Sequence, residues 1–161
     1  MDDYNREALA IEVDTSLPAE RVIRVLDQVT EWRGKPKSIR VDNGPEFISI
    51  ALGLWCEQKG ITLQFIQPGK PTQNAYIERF NGSFRKDVLD AYLFEDLEQV
   101  RILSDEWMTS YNNEIPHGSL NDLTPGEYAR AINSGKPFGF TTINSHNSSN
   151  SNVEKSKLAL S

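Results

Sequence analysis

Two carboxylates stand out by type and spacing. Asp42 closes the short alternation Ile39-Arg40-Val41, Glu78 lies inside an apolar-periodic stretch, and 35 residues separate them. Such a pair can hold an oxygen-preferring cation, because Mg²⁺ takes few protein carboxylates and fills its shell with water and phosphate oxygens. A chain with 23 acidic residues offers many pairs at any spacing, so the spacing alone decides nothing. The neighbours carry more. Asn74, Glu78, Asn81 and Arg85 recur at helical steps, and one acid amid amides and a guanidinium suits a metal and a phosphodiester better than an arbitrary wet face.

The elements that must position these residues can be read from periodicity. Asp42-Asn43-Gly44-Pro45-Glu46-Phe47 places turn formers straight after the alternation, so Asp42 is expected at a strand tip facing a crevice outside the sheet. Ile77, Phe80, Phe84, Val88 and Ala91 make the apolar stripe of the helix that carries Glu78. Before Asp42, Ala8 to Val13 reads as a strand and Asp14 to Gly34 as a helix, with Ser16 able to cap it and Pro18 and Glu20 in its first turn. After Asp42 comes a helix from Glu46 to Lys59 with a stripe of Phe47, Ile50, Ala51, Leu54 and Trp55, then a strand from Ile61 to Ile66. Glu95 to Asn113 is a further amphipathic helix. Thr124-Pro125-Gly126-Glu127 is a capping box that starts a short helix through Ile132. Alternating strands and helices predict an α/β domain with parallel pairing in its second half. The aromatics of the helical stripes are read as core.

Three separated motifs then carry a family resemblance. Asp42-Asn43-Gly44-Pro45-Glu46-Phe47, the run Pro68-Gly69-Lys70-Pro71 with Gln73 to Gly82, and Tyr111-Asn112 with Pro116-His117, Ser119-Leu120 and Leu123-Thr124-Pro125 resemble bacterial insertion-sequence transposases. That group is similar to retroviral integrases and shares their Asp, Asp, 35-residue spacer, Glu core. The resemblance covers about residues 1–130. It implies a ribonuclease H-like integrase catalytic core in residues 1–132 that transfers phosphoryl groups on DNA. Water or a DNA 3′-hydroxyl attacks a phosphodiester in line, with two Mg²⁺ (or Mn²⁺) ions stabilising nucleophile and leaving oxygen.

By the same resemblance Asp42 and Glu78 match the second and third catalytic, metal-holding carboxylates. Lys70, Asn74 and Arg85 match DNA contacts, Asn43 could position the Asp42 carboxylate, and the Gln67 to Gln73 loop reads as a lid over the site. His117 suits a structural or phosphate-contact role, and Ile115 stands where the family usually has an arginine. The first carboxylate of the triad has no match. Asp2 and Asp3 sit in a turn and are read as turn carboxylates. The fold is therefore expected to be incomplete at its N-terminus and the chain inactive alone, or else a catalytically dead remnant that only binds nucleic acid or a transposase partner. The missing central strand would leave two sheet edges open and strip cover from Val22, Leu26, Trp55 and Phe80.

Composition bounds the rest. There is no apolar run of membrane-spanning length and no signal-like start, so the chain reads as one domain with no membrane span. Cys56 is the lone cysteine, expected in the core and consistent with a cytoplasmic location. A net charge of −6 argues against a dedicated electrostatic DNA binder, so contact with DNA and transposase subunits must rest on local cations. Residues 133–161 are Ser/Asn-rich and expected to be a disordered tail.

Overall fold

The computed structural model describes residues 1–134, apart from Pro68, Pro71 and Gln73, together with the strand Lys157–Leu160. Its centre is β1, Ser38–Val41, in which Ser38, Ile39 and Val41 are buried. An apolar strand enclosed on both faces is what a parallel sheet requires. On one side β1 pairs in parallel with β2, Thr62–Phe65, from Ser38 opposite Thr62 to Val41 opposite Phe65. On the other it pairs in parallel with β3, Lys157–Leu160, which sets Leu160 opposite Val41. Four residues expected in a disordered tail thus form a strand, and both edges of β1 are occupied. Asn133 and Ser134, the first residues of that expected tail, close the last described helix, and its remainder lies outside the described residues.

Helix α1 runs from Ala19 to Arg33, not from Asp14. Pro18 takes the cap position with extended backbone and no side-chain cap bond, while Asp14 accepts from the Thr15 amide at 2.7 Å. Proline preorganises only the turn that follows it. Helix α2 likewise starts late, at Ile50, and ends at Lys59. Ser49 caps it by accepting from the Leu52 amide at 3.1 Å, and Gly60 closes it at φ +63°. Its buried residues are Leu52, Trp55 and Cys56, whereas Ile50 is 84% exposed and Leu54 52%, so the expected stripe is rotated. The start at Ser49 moves Phe47 into the preceding turn, where it is buried separately.

Helix α3, Ala75–Phe84, continues as a π-turn through Arg85–Leu89, closed by the Asp90 amide donating to Arg85 at 2.8 Å. Ile77, Phe80 and Val88 are buried as their spacing predicts, and Ala91 lies past the helical turns. Helix α4, Leu97–Asn113, is capped by Asp96, and α5, Pro125–Asn133, carries both bonds of the Thr124–Glu127 capping box. One core cluster joins Leu26 and Val29 of α1, Ile39 and Val41 of β1, and Leu52, Trp55 and Cys56 of α2. A second joins Met1, Ala8, Ile77, Phe80 and Tyr111. Leu26, Trp55 and Phe80 are therefore buried, contrary to the expectation that they lose cover.

Ala8 to Val13 joins no strand ladder among the described residues, although its composition predicts one. Its backbone bonds are met differently. The Asn112 amide donates to the Ala8 carbonyl at 2.9 Å while its oxygen accepts from the Ala8 N–H at 2.8 Å. A side-chain amide has the donor and acceptor spacing of a peptide, so it replaces a β-bridge partner. Before this segment Asp2, Asp3 and Asn5 serve a tight turn. Asp2 accepts from the Tyr4 amide, Asp3 from Arg40 at 2.7 Å, and Arg33 meets Glu7 at 2.7 Å. Between this N-terminal stretch, α1 and α3 lies a mainly apolar hollow of about 380 Å³.

Candidate active site

Asp42 follows β1 directly and is half-buried, with its Oδ1 accepting from the Gly44 amide at 2.8 Å. The turn curls the next acid back onto it. A Cβ on Gly44 would stand 2.8 Å from Glu46 Oε1 and 3.0 Å from Asp42 Oδ1, so the two carboxylates converge over this glycine. Glu46 was read from sequence only as the start of a helix. The tight Asn-Gly-Pro turn is the signal that could have placed it beside Asp42. Asn43, read as an orienter of Asp42, instead donates from its amide to the Ile66 carbonyl at 3.4 Å, fastening the ends of β1 and β2 together.

Glu78 sits in the first turn of α3, exposed, and its carboxylate has no bonded partner among the described residues. A helix N-terminus favours such an anion. Asn74 is the N-cap residue, half-buried, with no side-chain cap bond. Lys70 is exposed, its amide donating to Gln67 in the turn that precedes α3. The lid reading rests partly on Pro68, Pro71 and Gln73, which lie outside the described residues.

Arg85 is exposed at the π-turn, 4.0 Å from the equally exposed Asp90, a separation at which an ion pair contributes little. The hollow links these parts. Glu46 and Phe47 from the Asp42 turn form one wall, and Ile77, Asn81 and Arg85 of the Glu78 helix form another. Glu78 itself does not line it, so the predicted polar face of α3 is split.

The donors suit a hard divalent cation, since Asp42, Glu46 and Glu78 offer carboxylate oxygens and no soft ligand. Among the described residues, however, no group of three or more acids, histidines or cysteines is assembled to hold one. His117 stands apart from these acids. Its ring packs edge-on to Tyr111 at 5.0 Å, and its Nε2 is buried without a partner. Burial first, then Arg6 and Arg79, hold its pKa below the ordinary histidine value. Burial also pushes the Tyr111 hydroxyl up to about 12, so it stays protonated.

Two overlapping family models described as integrase core domain match residues 1–71 and 59–125. An insertion element IS407 protein of Burkholderia multivorans, 31.7 kDa and uncharacterized, is 46% identical over 129 residues, which is 80% of this chain and 47% of that protein. The chain belongs to the integrase core domain family. Relatives at 44–46% identity are insertion-element proteins, and the chain spans about half the length of the curated relatives it matches. Solved structures of low identity share the fold. The catalytic core of BIV integrase superposes with a TM-score of 0.61 at 23% identity, covering 83% of this chain and 85% of that one. The HTLV-2 integrase catalytic core, solved in complex with magnesium, gives a TM-score of 0.55 at 20% identity over 74% of each chain.

The integrase core is thus an α/β, ribonuclease H-like fold, and Asp42 and Glu46 occupy the carboxyl end of its central described strand. No helix among the described residues is long and apolar enough to cross a membrane.

Proposed function

We propose that this chain supplies part of a transposase core that performs divalent-metal-dependent phosphoryl transfer on DNA. The observation that carries the reading is the placement of Asp42 at the tip of the central parallel strand, where ligands of such sheets bind, in a chain of the integrase core family. Asp42 and Glu78 would hold the metal, with Glu46 adding charge beside Asp42. Bound there, Mg²⁺ or Mn²⁺ would supply the charge that an in-line displacement at a phosphodiester develops. Arg85, Asn74 and Lys70 would bind and orient the DNA backbone, and the Gly44 turn would keep the Asp42 carboxylate aimed outward.

The isolated chain is expected to be inactive, because the family resemblance finds matches for only two of the three catalytic carboxylates, Asp42 and Glu78. The purified chain should neither cut nor join duplex ends with Mg²⁺ or Mn²⁺. Strand transfer that disappears in Asp42→Asn and Glu78→Gln would overturn this. A chimera that joins the chain to the part of the IS407 relative outside the matched 129 residues is expected to gain metal-dependent cleavage, lost in the same two variants. A folded chimera with no activity, beside an active IS407 protein, would favour the second reading, a remnant that binds nucleic acid or transposase subunits without cutting. Cytoplasmic placement follows from the same proposal, as the compartment of bacterial DNA.

A further inference from the structure

Away from the carboxylates, two side chains among the described residues, Arg6 and His117, carry buried nitrogens without an acceptor. Arg6 stands at φ +62° in the N-terminal turn, and its Nε and Nη1 are buried with no hydrogen-bond partner. Its guanidinium lies 3.4 Å from the centre of the Tyr76 ring, which fixes where the fork points. The turn around it is pinned on two sides. Tyr4 packs on Tyr128 of α5 at 6.1 Å, and Ala8 is clamped by Asn112 of α4.

Tyr76 and Arg79 are one helical turn apart on α3, so Arg79 rises on the face that Arg6 covers. Neighbouring Asn112, Tyr111 holds the His117 ring, whose Nε2 is also buried and without a partner among the described residues. Both guanidiniums act on His117 and on Tyr111. The acid that feels Arg6, Asp3, is itself engaged by Arg40 at 2.7 Å.

Buried donors without acceptors are rare in folded proteins and call for an explanation. Two positive charges in a chain of net charge −6 lie on the side of a histidine whose pKa is lowered first by burial and then by their charge, and no anion among the described residues answers them. We propose that Arg6, Arg79 and His117 form an anion subsite at the junction of the N-terminal turn with α3 and α4, and that it takes a phosphate of the nucleic-acid backbone. Arg6 offers a planar fork that matches phosphate geometry, Arg79 adds charge at the open side, and His117 donates once protonated. The choice of nucleic acid rests on the proposed function, whereas the anion chemistry does not.

The test reads binding, not catalysis. With labelled duplex DNA titrated between about 50 and 200 mM salt, Arg6→Gln and Arg79→Gln are each expected to weaken binding about tenfold, and to lower the salt slope by about one. Inorganic phosphate should raise the His117 pKa, followed by its ring NMR resonances, in wild type and much less in either variant. The groups around that ring are Arg6 of the turn, Arg79 of α3, Tyr111 of α4 and Tyr128 of α5 beside Arg6.

Arg79 is exposed, so Arg79→Gln keeps the test valid if Arg6→Gln does not fold. Duplex affinity and His117 titration both unchanged in folded Arg79→Gln would overturn the subsite. Phosphate uptake with duplex affinity unaltered in both variants would overturn its assignment to nucleic acid while leaving the catalytic proposal standing.

Discussion

Asn112 does with one side chain what a neighbouring strand does with its backbone, and the N-terminal stretch hangs on it. Asn112→Ala removes both bonds and leaves the Ala8 N–H and C=O, in a buried residue, without partners, so a loss of about 2–3 kcal/mol is expected in denaturant unfolding. Amide exchange at Ala8 should rise with it, and unchanged protection there would show that the clamp holds nothing. His117 sets a pH dependence. Its folded pKa lies below the unfolded value of about 6.5, so the unfolded chain takes up the proton first. This term leaves stability intact above about pH 6.5 and removes it as pH falls from there through the folded pKa. His117→Gln should flatten that acid-side decline in unfolding midpoints measured from pH 7.5 to 5, scanned in steps of about half a unit.

At the scale of elements, α3 is the joint of the molecule. Phe80 meets Trp107 at 5.3 Å and Tyr111 at 5.0 Å, both edge-on, and Trp107 reaches across to the π-turn by donating to Asp87 at 3.2 Å. Aromatic clusters of this kind add to the burial of their area. Phe80→Ala should therefore cost about 3–5 kcal/mol in chemical unfolding. Leu93→Ala, at a fully exposed position, should stay within about 0.5 kcal/mol. The π-turn has its own consequence. It opens at Arg85, whose own amide still donates to the Asn81 carbonyl as in an α-helix, so the wider turn redirects the chain beyond Arg85 and leaves Arg85 in register with Glu78.

For the whole molecule, net charge governs how DNA is met. With six more acids than bases and cations confined to patches, the chain should bind duplex DNA weakly, with affinity falling steeply as salt rises and little regard for sequence. Anisotropy titrations at several salt concentrations check this. Tight binding that salt barely changes would reveal a dedicated interface elsewhere in the chain. The apolar hollow gives a second prediction at this scale. Filling it with Ala10→Leu, a residue that lines its wall, should raise the unfolding midpoint by a few degrees, about 1 kcal/mol for a domain of this size.

The sequence by itself determined the strand that ends at Asp42, the helix that carries Glu78, the capping box at Thr124 and the burial of Cys56. Each rests on local physics, namely the alternation of β1, the spacing of Ile77 and Phe80, the reach of a threonine hydroxyl to its own helix and the apolar neighbours of one thiol. The late starts of α1 and α2 lay within the same local code, in Pro18 and Ser49, but periodicity overran them.

Tertiary structure alone decided that Ala8 to Val13 joins no ladder, that Lys157–Leu160 pairs with β1, and that Glu46 folds back on Asp42. It also laid Arg6 on the Tyr76 ring of α3 and the His117 ring on Tyr111 of α4, joining distant stretches of chain. A strand is defined by its partner, and a charge cluster by which surfaces the core presses together. Neither is carried in the spacing of residues along the chain.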